Sequence, residues 1–170
     1  MIMAKDTQRT RNMTVTDKLT LGPNAVLRIR RKGNEGYDVI VPASDNKAVL
    51  TTTRTIAASE TGTHFIINST TGFVTTLPLP QVGLEFWFHI GATEPSTTHT
   101  VVTAASANII SGNIVSVAGT LVAVVDDADT ISFISSAVHG DFAHVYCDGT
   151  TYFLDGMCEI AAGMTTTQAS

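Results

Sequence analysis

A chain of 170 residues with 44% hydrophobic and 15% charged side chains belongs with soluble globular proteins, and is long enough for one ordinary core plus an appendage. Thr, Ser, Ala and Gly fill the charge deficit, a composition that suits pleated strands and argues against long amphipathic helices. No apolar stretch approaches the ~20 residues that span a bilayer, and residues 1–6 lack the apolar core of a signal peptide, so neither a membrane segment nor export is expected.

The formal net charge of −5 conceals two segments of opposite sign. Residues 1–54 hold all ten Lys and Arg against five acids, a formal +5. Residues 55–170 hold ten acids and no base, a formal −10. Two units are expected: a basic N-terminal arm, 1–54, and an acidic all-β body, 55–170. A split of this kind suggests different surroundings for the two, with the arm meeting an acidic partner or folding back on its own body or on a neighbouring copy.

In chain order, residues 1–13 are polar and without period, which reads as a mobile or partner-ordered start. Residues 26–33 alternate, with Val26, Arg28, Arg30 and Lys32 on one strand face and Leu27, Ile29 and Arg31 on the other. Bracketed by turn residues and followed by the apolar run 37–41 up to Pro42, this stretch predicts a small hairpin with a basic face. Residues 43–55 read as a linker. Residues 64–68 and 73–77 predict a hairpin closed by Ser69-Thr70-Thr71-Gly72. Pro78 and Pro80 then stop the chain before residues 84–90, where Leu84, Phe86, Phe88 and Ile90 alternate with Glu85, Trp87 and His89 in the clearest half-buried strand.

Further strands are predicted at 100–103, 108–110, 114–117, 121–125, 130–134, 142–147 and 151–154. Breaks are expected at 111–113, 118–119, 126–129 and Asp148-Gly149, the last a tight-hairpin signal. Residues 161–170 should end as an extended segment. About nine short strands imply a β-sandwich or β-barrel of short antiparallel strands. No segment repeats another, so a solenoid or propeller is not expected.

Chemistry is sparse. His64, His89, His99, His139 and His144 form no HExxH or paired-Cys pattern, so no metal is expected; His89, on the polar face of its strand, reads as a solvated or interface histidine. Asp126, Asp127 and Asp129 lack the rest of a calcium loop and read as a turn that keeps acids in water. Cys147 and Cys158 read as free buried thiols.

No GxSxG elbow, P-loop or GxGxxG occurs, and a body without Lys or Arg lacks cations for anionic substrates. Neither an enzyme, a cofactor nor a small-molecule substrate is expected. Arg28, Arg30, Arg31 and Lys32 make a basic patch, but no aromatic residue is interleaved and phosphate would repel the body, which argues against nucleic acid. The aromatics read as core, with a sugar-stacking platform at Trp87 as a lesser possibility.

Residues 57–68 (AASETGTHFIIN), 72–84 (GFVTTLPLPQVGL) and 145–153 (VYCDGTTYF), about a quarter of the chain, resemble a pattern of tailed-bacteriophage virion proteins, the head decoration or cement proteins in particular. The resemblance brings no catalytic residues. It implies a β-rich, commonly trimeric module, made in the host cytoplasm, that sits on the outer capsid surface and stabilises it by binding the major capsid protein. The residues then expected to contact the capsid are the arm bases Lys5, Arg9, Arg11, Lys18, Arg28, Arg30, Arg31 and Lys32. The alternative reading is a tail-associated fibre or receptor-binding module that binds host glycan.

Overall fold

The computed structural model describes residues 29–30, 37–38, 47–117 and 119–170. The chain divides into two compact units, Met1–Ser44 and Asp45–Ser170. In the first, β1 (Ile29–Arg30) pairs antiparallel with β2 (Tyr37–Asp38), Ile29 opposite Asp38 and Arg30 opposite Tyr37. The remainder of the expected hairpin lies outside the described residues.

The regular structure described in the second unit is strand apart from two single 3-10 turns, Ala58–Glu60 and Ala104–Ser106. Its elements are β3 (Lys47–Leu50), β4 (Arg54–Thr55), β5 (Thr63–Ile67), β6 (Val74–Thr76), β7 (Val82–Ile90), β8 (His99–Val102), β9 (Ile110–Ser116), β10 (Leu121–Ala128), β11 (Thr130–Phe133), β12 (Phe142–Asp148), β13 (Tyr152–Cys158) and β14 (Met164–Thr167). They form a seven-stranded sheet, β10-β9-β13-β12-β7-β5-β3, and a five-stranded sheet, β14-β11-β8-β6-β4.

The pairing corrects the expectation of an antiparallel body. From β3 to β8 the chain alternates between the two sheets, and β3, β5 and β7 run parallel in one while β4, β6 and β8 run parallel in the other. The result is a coil of three rungs, although no repeat is visible in the sequence. Lys47 pairs with His64 and His64 with Trp87, steps of 17 and 23 residues, so the rungs share a backbone path without sharing a period. Antiparallel pairing joins β7 to β12, β12 to β13, β9 to β10, and β11 to both β8 and β14.

The same winding overturns the predicted 64–77 hairpin. Its strands belong to different sheets: β5 pairs with β3 and β7, β6 with β4 and β8, and residues 68–73 connect one sheet to the other. The expected linker contains β3 and β4, so Lys47 and Arg54 are body residues. Arg54 bonds Glu60, whose other carboxylate oxygen accepts from the Ala57 backbone N–H at 2.9 Å, and its guanidinium lies 5.5 Å from the centre of the Phe65 ring.

The predicted break at 111–113 is the interior of β9. Gly112 is there for close approach: a Cβ would stand 1.9 Å from the Leu154 carbonyl oxygen on β13. The acidic stretch is a bulge in β10, with Asp126 and Asp127 exposed, Asp127 at φ 55° and Asp129 buried.

Other predictions hold. Asp148-Gly149 closes the β12–β13 hairpin, with Gly149 at φ 109° and the Asp148 carboxylate accepting from the backbone N–H groups of Thr150 and Thr151 at 2.8 and 2.9 Å. Those bonds, with the Thr151 N–H foremost, hold the carboxyl below its ordinary range. Cys147 and Cys158 are free and buried. They lie at opposite ends of the β12–β13 ladder, where strand rise alone separates them by roughly 20 Å, far beyond disulfide reach.

One apolar cluster takes side chains from both sheets: Phe65, Phe86, Phe88 and Leu154 from the larger, Val101, Ile131, Phe133 and Met164 from the smaller. The alternation read in residues 84–90 is the burial observed, with Leu84, Phe86, Phe88 and Ile90 turned inward. Each fully buried Phe contributes about 2 kcal/mol. Tyr152 is also enclosed; its hydroxyl donates to the Pro78 carbonyl at 3.0 Å. Among the described residues no helix is long and apolar enough to cross a membrane.

Candidate functional site

Strand alternation that buries the Phe side chains of β7 must turn Glu85, Trp87 and His89 outward, and the neighbouring strands add to them in register. Across the outer face of the larger sheet, His64 on β5, Trp87 on β7, His144 on β12 and Asp155 on β13 are paired in sequence. Ile66, His89, Phe142 and Met157 make a second row. Glu85, Tyr146 and Phe153 make a third.

Strand spacing near 4.8 Å stacks these rings edge-outward. His64 and Trp87 have centroids 5.4 Å apart and planes within 6°; Trp87 and His144 are at 3.9 Å and 11°. Tyr146 and Phe153 continue the array at 5.2 Å, and Phe142 tilts against both Trp87 and His89 at 5.7 and 5.8 Å. Because β5 and β12 flank β7, the indole has an imidazole beside each face. His144 stacks closely on one face of the indole, and His64 stands offset beside the other.

Polar contacts tie the rings together. His144 Nε2–H donates to Glu85 Oε1 at 2.9 Å, and His64 Nδ1 and His89 Nε2 share a hydrogen bond at 3.2 Å. Burial, and then the neighbouring His64, push the His89 pKa down, so its neutral form is favoured. Lys47, His64, Ile66, His89, His139 and Gly140 line a groove of about 540 Å³. No set of three or more His, Cys, Asp or Glu side chains converges on one point among the described residues.

Of the arm bases singled out from sequence, Arg30 lies in β1; Lys5, Arg9, Arg11, Lys18, Arg28, Arg31 and Lys32 lie outside the described residues. The ring array was legible only strand by strand. Glu85, Trp87 and His89 were assigned to one polar face, but nothing in the order of residues places His64 and His144 on either side of Trp87. That juxtaposition follows from a parallel pairing to β5 and an antiparallel pairing to β12.

No family model matches this chain, and no curated protein matches its sequence.

Proposed function

We propose that this chain is a structural, non-enzymatic virion protein that binds the outer surface of a phage capsid and stabilises it, anchored through its basic arm. The observation that carries this reading is a convergence. The phage-like segments 57–68 and 145–153 are far apart in sequence, yet they supply β5, the end of β12 and the start of β13 to one sheet, where the first residues of β7, from segment 72–84, join them; the rest of 72–84 gives β6 of the other sheet. That sheet also bears the ring array, to which the resembling segments contribute His64, Tyr146 and Phe153.

Charge supports the same reading. Within Met1–Ser44 the eight bases named above face four acids, a formal +4, whereas Asp45–Ser170 has eleven acids and two bases, a formal −9. Such an arm suits an acidic protein surface, and its alternating strand suits addition to a neighbour's sheet edge. We read the body as a β-sandwich, two sheets sharing one core, and the assembly as a homotrimer whose short Thr-rich strands lose little rotamer entropy at a symmetric interface.

High-resolution imaging of the virion tests the proposal. Hundreds of copies on the outer capsid surface, with the arm against the major capsid protein, are expected. A few copies confined to the tail would instead support the fibre or receptor-binding reading. Reversing Arg28, Arg30 and Lys32 to Glu should release the protein from the shell; undiminished binding would reject the arm as anchor.

A further inference from the structure

Parallel pairing of β5 with β7 sets His64 beside Trp87 and one diagonal step from His89, residues 25 positions apart in the chain. We infer that His64 and His89 form a two-imidazole site for a divalent transition-metal ion of the Ni²⁺, Zn²⁺ and Cu²⁺ class.

The geometry is that of two ligands waiting for one ion. Imidazole–metal bonds of about 2.0–2.1 Å at a tetrahedral centre separate two nitrogens by about 3.3 Å. His64 Nδ1 and His89 Nε2 are 3.2 Å apart. The rings now meet head-on, with centres 5.5 Å apart and planes within 7°, so an ion can bind both once the donor ring carries its proton on its other nitrogen and each ring turns by roughly 35° towards a shared point. Both rings are held before it arrives: His64 is stacked on Trp87 within 6°, and His89 lies against Phe142 at 5.8 Å. Ordering them on binding costs little rotamer entropy.

Access and charge agree. The pair opens onto the groove of about 540 Å³, which Lys47, the register partner of His64, also lines; against that one cation the unit Asp45–Ser170 has a formal charge of −9 that draws cations towards it. Imidazole nitrogen selects the borderline ions over Ca²⁺ and Mg²⁺, which take oxygen donors. With two protein donors, the remaining coordination positions go to water or to a donor on whatever molecule packs against this face.

Trp87, the only tryptophan of the chain, reports directly, since its ring centre is 5.4 Å from that of His64 and 5.9 Å from that of His89. Titrating the full chain with Ni²⁺ at pH 7.5 should quench its emission along a saturable one-site curve. His64→Gln and His89→Gln should each weaken binding at least about tenfold. His144→Gln, on the opposite side of the indole, should change it less than about twofold. In ¹⁵N-labelled wild-type protein, broadening by Ni²⁺ should centre on the amides of His64 and His89. Linear, unsaturable quenching, unchanged affinity in both glutamine variants, or broadening centred elsewhere would overturn the site.

Discussion

His144 stacks on Trp87 with ring centres 3.9 Å apart while its Nε2–H donates to the Glu85 carboxylate, so one imidazole covers an indole and ties β12 to β7. Stacked rings contribute about 0.5–1.5 kcal/mol beyond area burial, whereas a surface ion pair contributes about 0–1 kcal/mol. His144→Ala should therefore cost about 1 kcal/mol, redden Trp87 emission and open it to acrylamide quenching. Glu85→Gln should cost less than half as much and leave the emission in place. Equal losses in the two variants would show that the carboxylate, not the stack, holds the ring.

Acid should weaken the fold before the carboxylates titrate. His99 is buried against Phe73, its ring centre 4.4 Å away, and donates from Nε2 to the Ser69 carbonyl at 2.9 Å; its buried Nδ1 has no partner. Burial lowers its pKa more than the Ser69 bond raises it, and His89 is lowered as well. The unfolded chain takes up these protons near pH 6.5, and the native state takes them up only at lower pH. Stability is then unaffected above about pH 6.5, declines as pH falls below it, and levels off once the native groups protonate. Urea denaturation between pH 8 and 5 measures this decline, which His99→Gln should reduce. Stability that rises on acidification through this window would contradict the assignment.

Gly112 combines close approach with a positive φ of 154°, whereas Gly119 has backbone strain alone. At Gly112 an alanine Cβ would meet the Leu154 carbonyl at 1.9 Å, and because backbone lies on both sides neither can give way cheaply. Gly119, at φ 76° in the β9–β10 turn, has no atom within 4 Å of the added carbon. Gly112→Ala should cost roughly 3 kcal/mol or more, and Gly119→Ala about 1–2 kcal/mol. Denaturant midpoints at unchanged m-value give both numbers, and a milder effect at Gly112 would mean that β9 and β13 pair less closely than described.

What the sequence could carry was local. Alternation in residues 84–90 identified both faces of β7, and Asp148-Gly149 identified a hairpin, because each signal is complete within a few residues. Partner choice is not local. The run 64–68 pairs in parallel with β3 and β7 rather than folding back on 73–77, since either arrangement would satisfy its alternation and only the shared core decides. Gly112 misled for a related reason: glycine signals a turn or a close approach equally well, and the neighbour that needed the space lies 42 residues further on. The histidine pair was hidden in the same way, its members read on separate strands.

Proteolysis can locate the boundary between arm and body. Counting charges put the division after Arg54, the last base in the chain. Pairing puts it before Lys47, because β3 adds to β5 and β4 adds to β6. Trypsin needs exposed, unpaired backbone, which these strands supply only on local unfolding, and Arg54 is further held by Glu60 and Phe65. Limited digestion should leave a resistant fragment that begins before Lys47 and keeps both bases. N-terminal sequencing decides: a fragment starting at Thr55 would mean that β3 and β4 detach readily from their sheets. Arg54→Ala should speed cleavage after Lys47 only modestly, since β3 pairing remains, and should lower stability by about 1 kcal/mol through loss of the partly buried Glu60 contact.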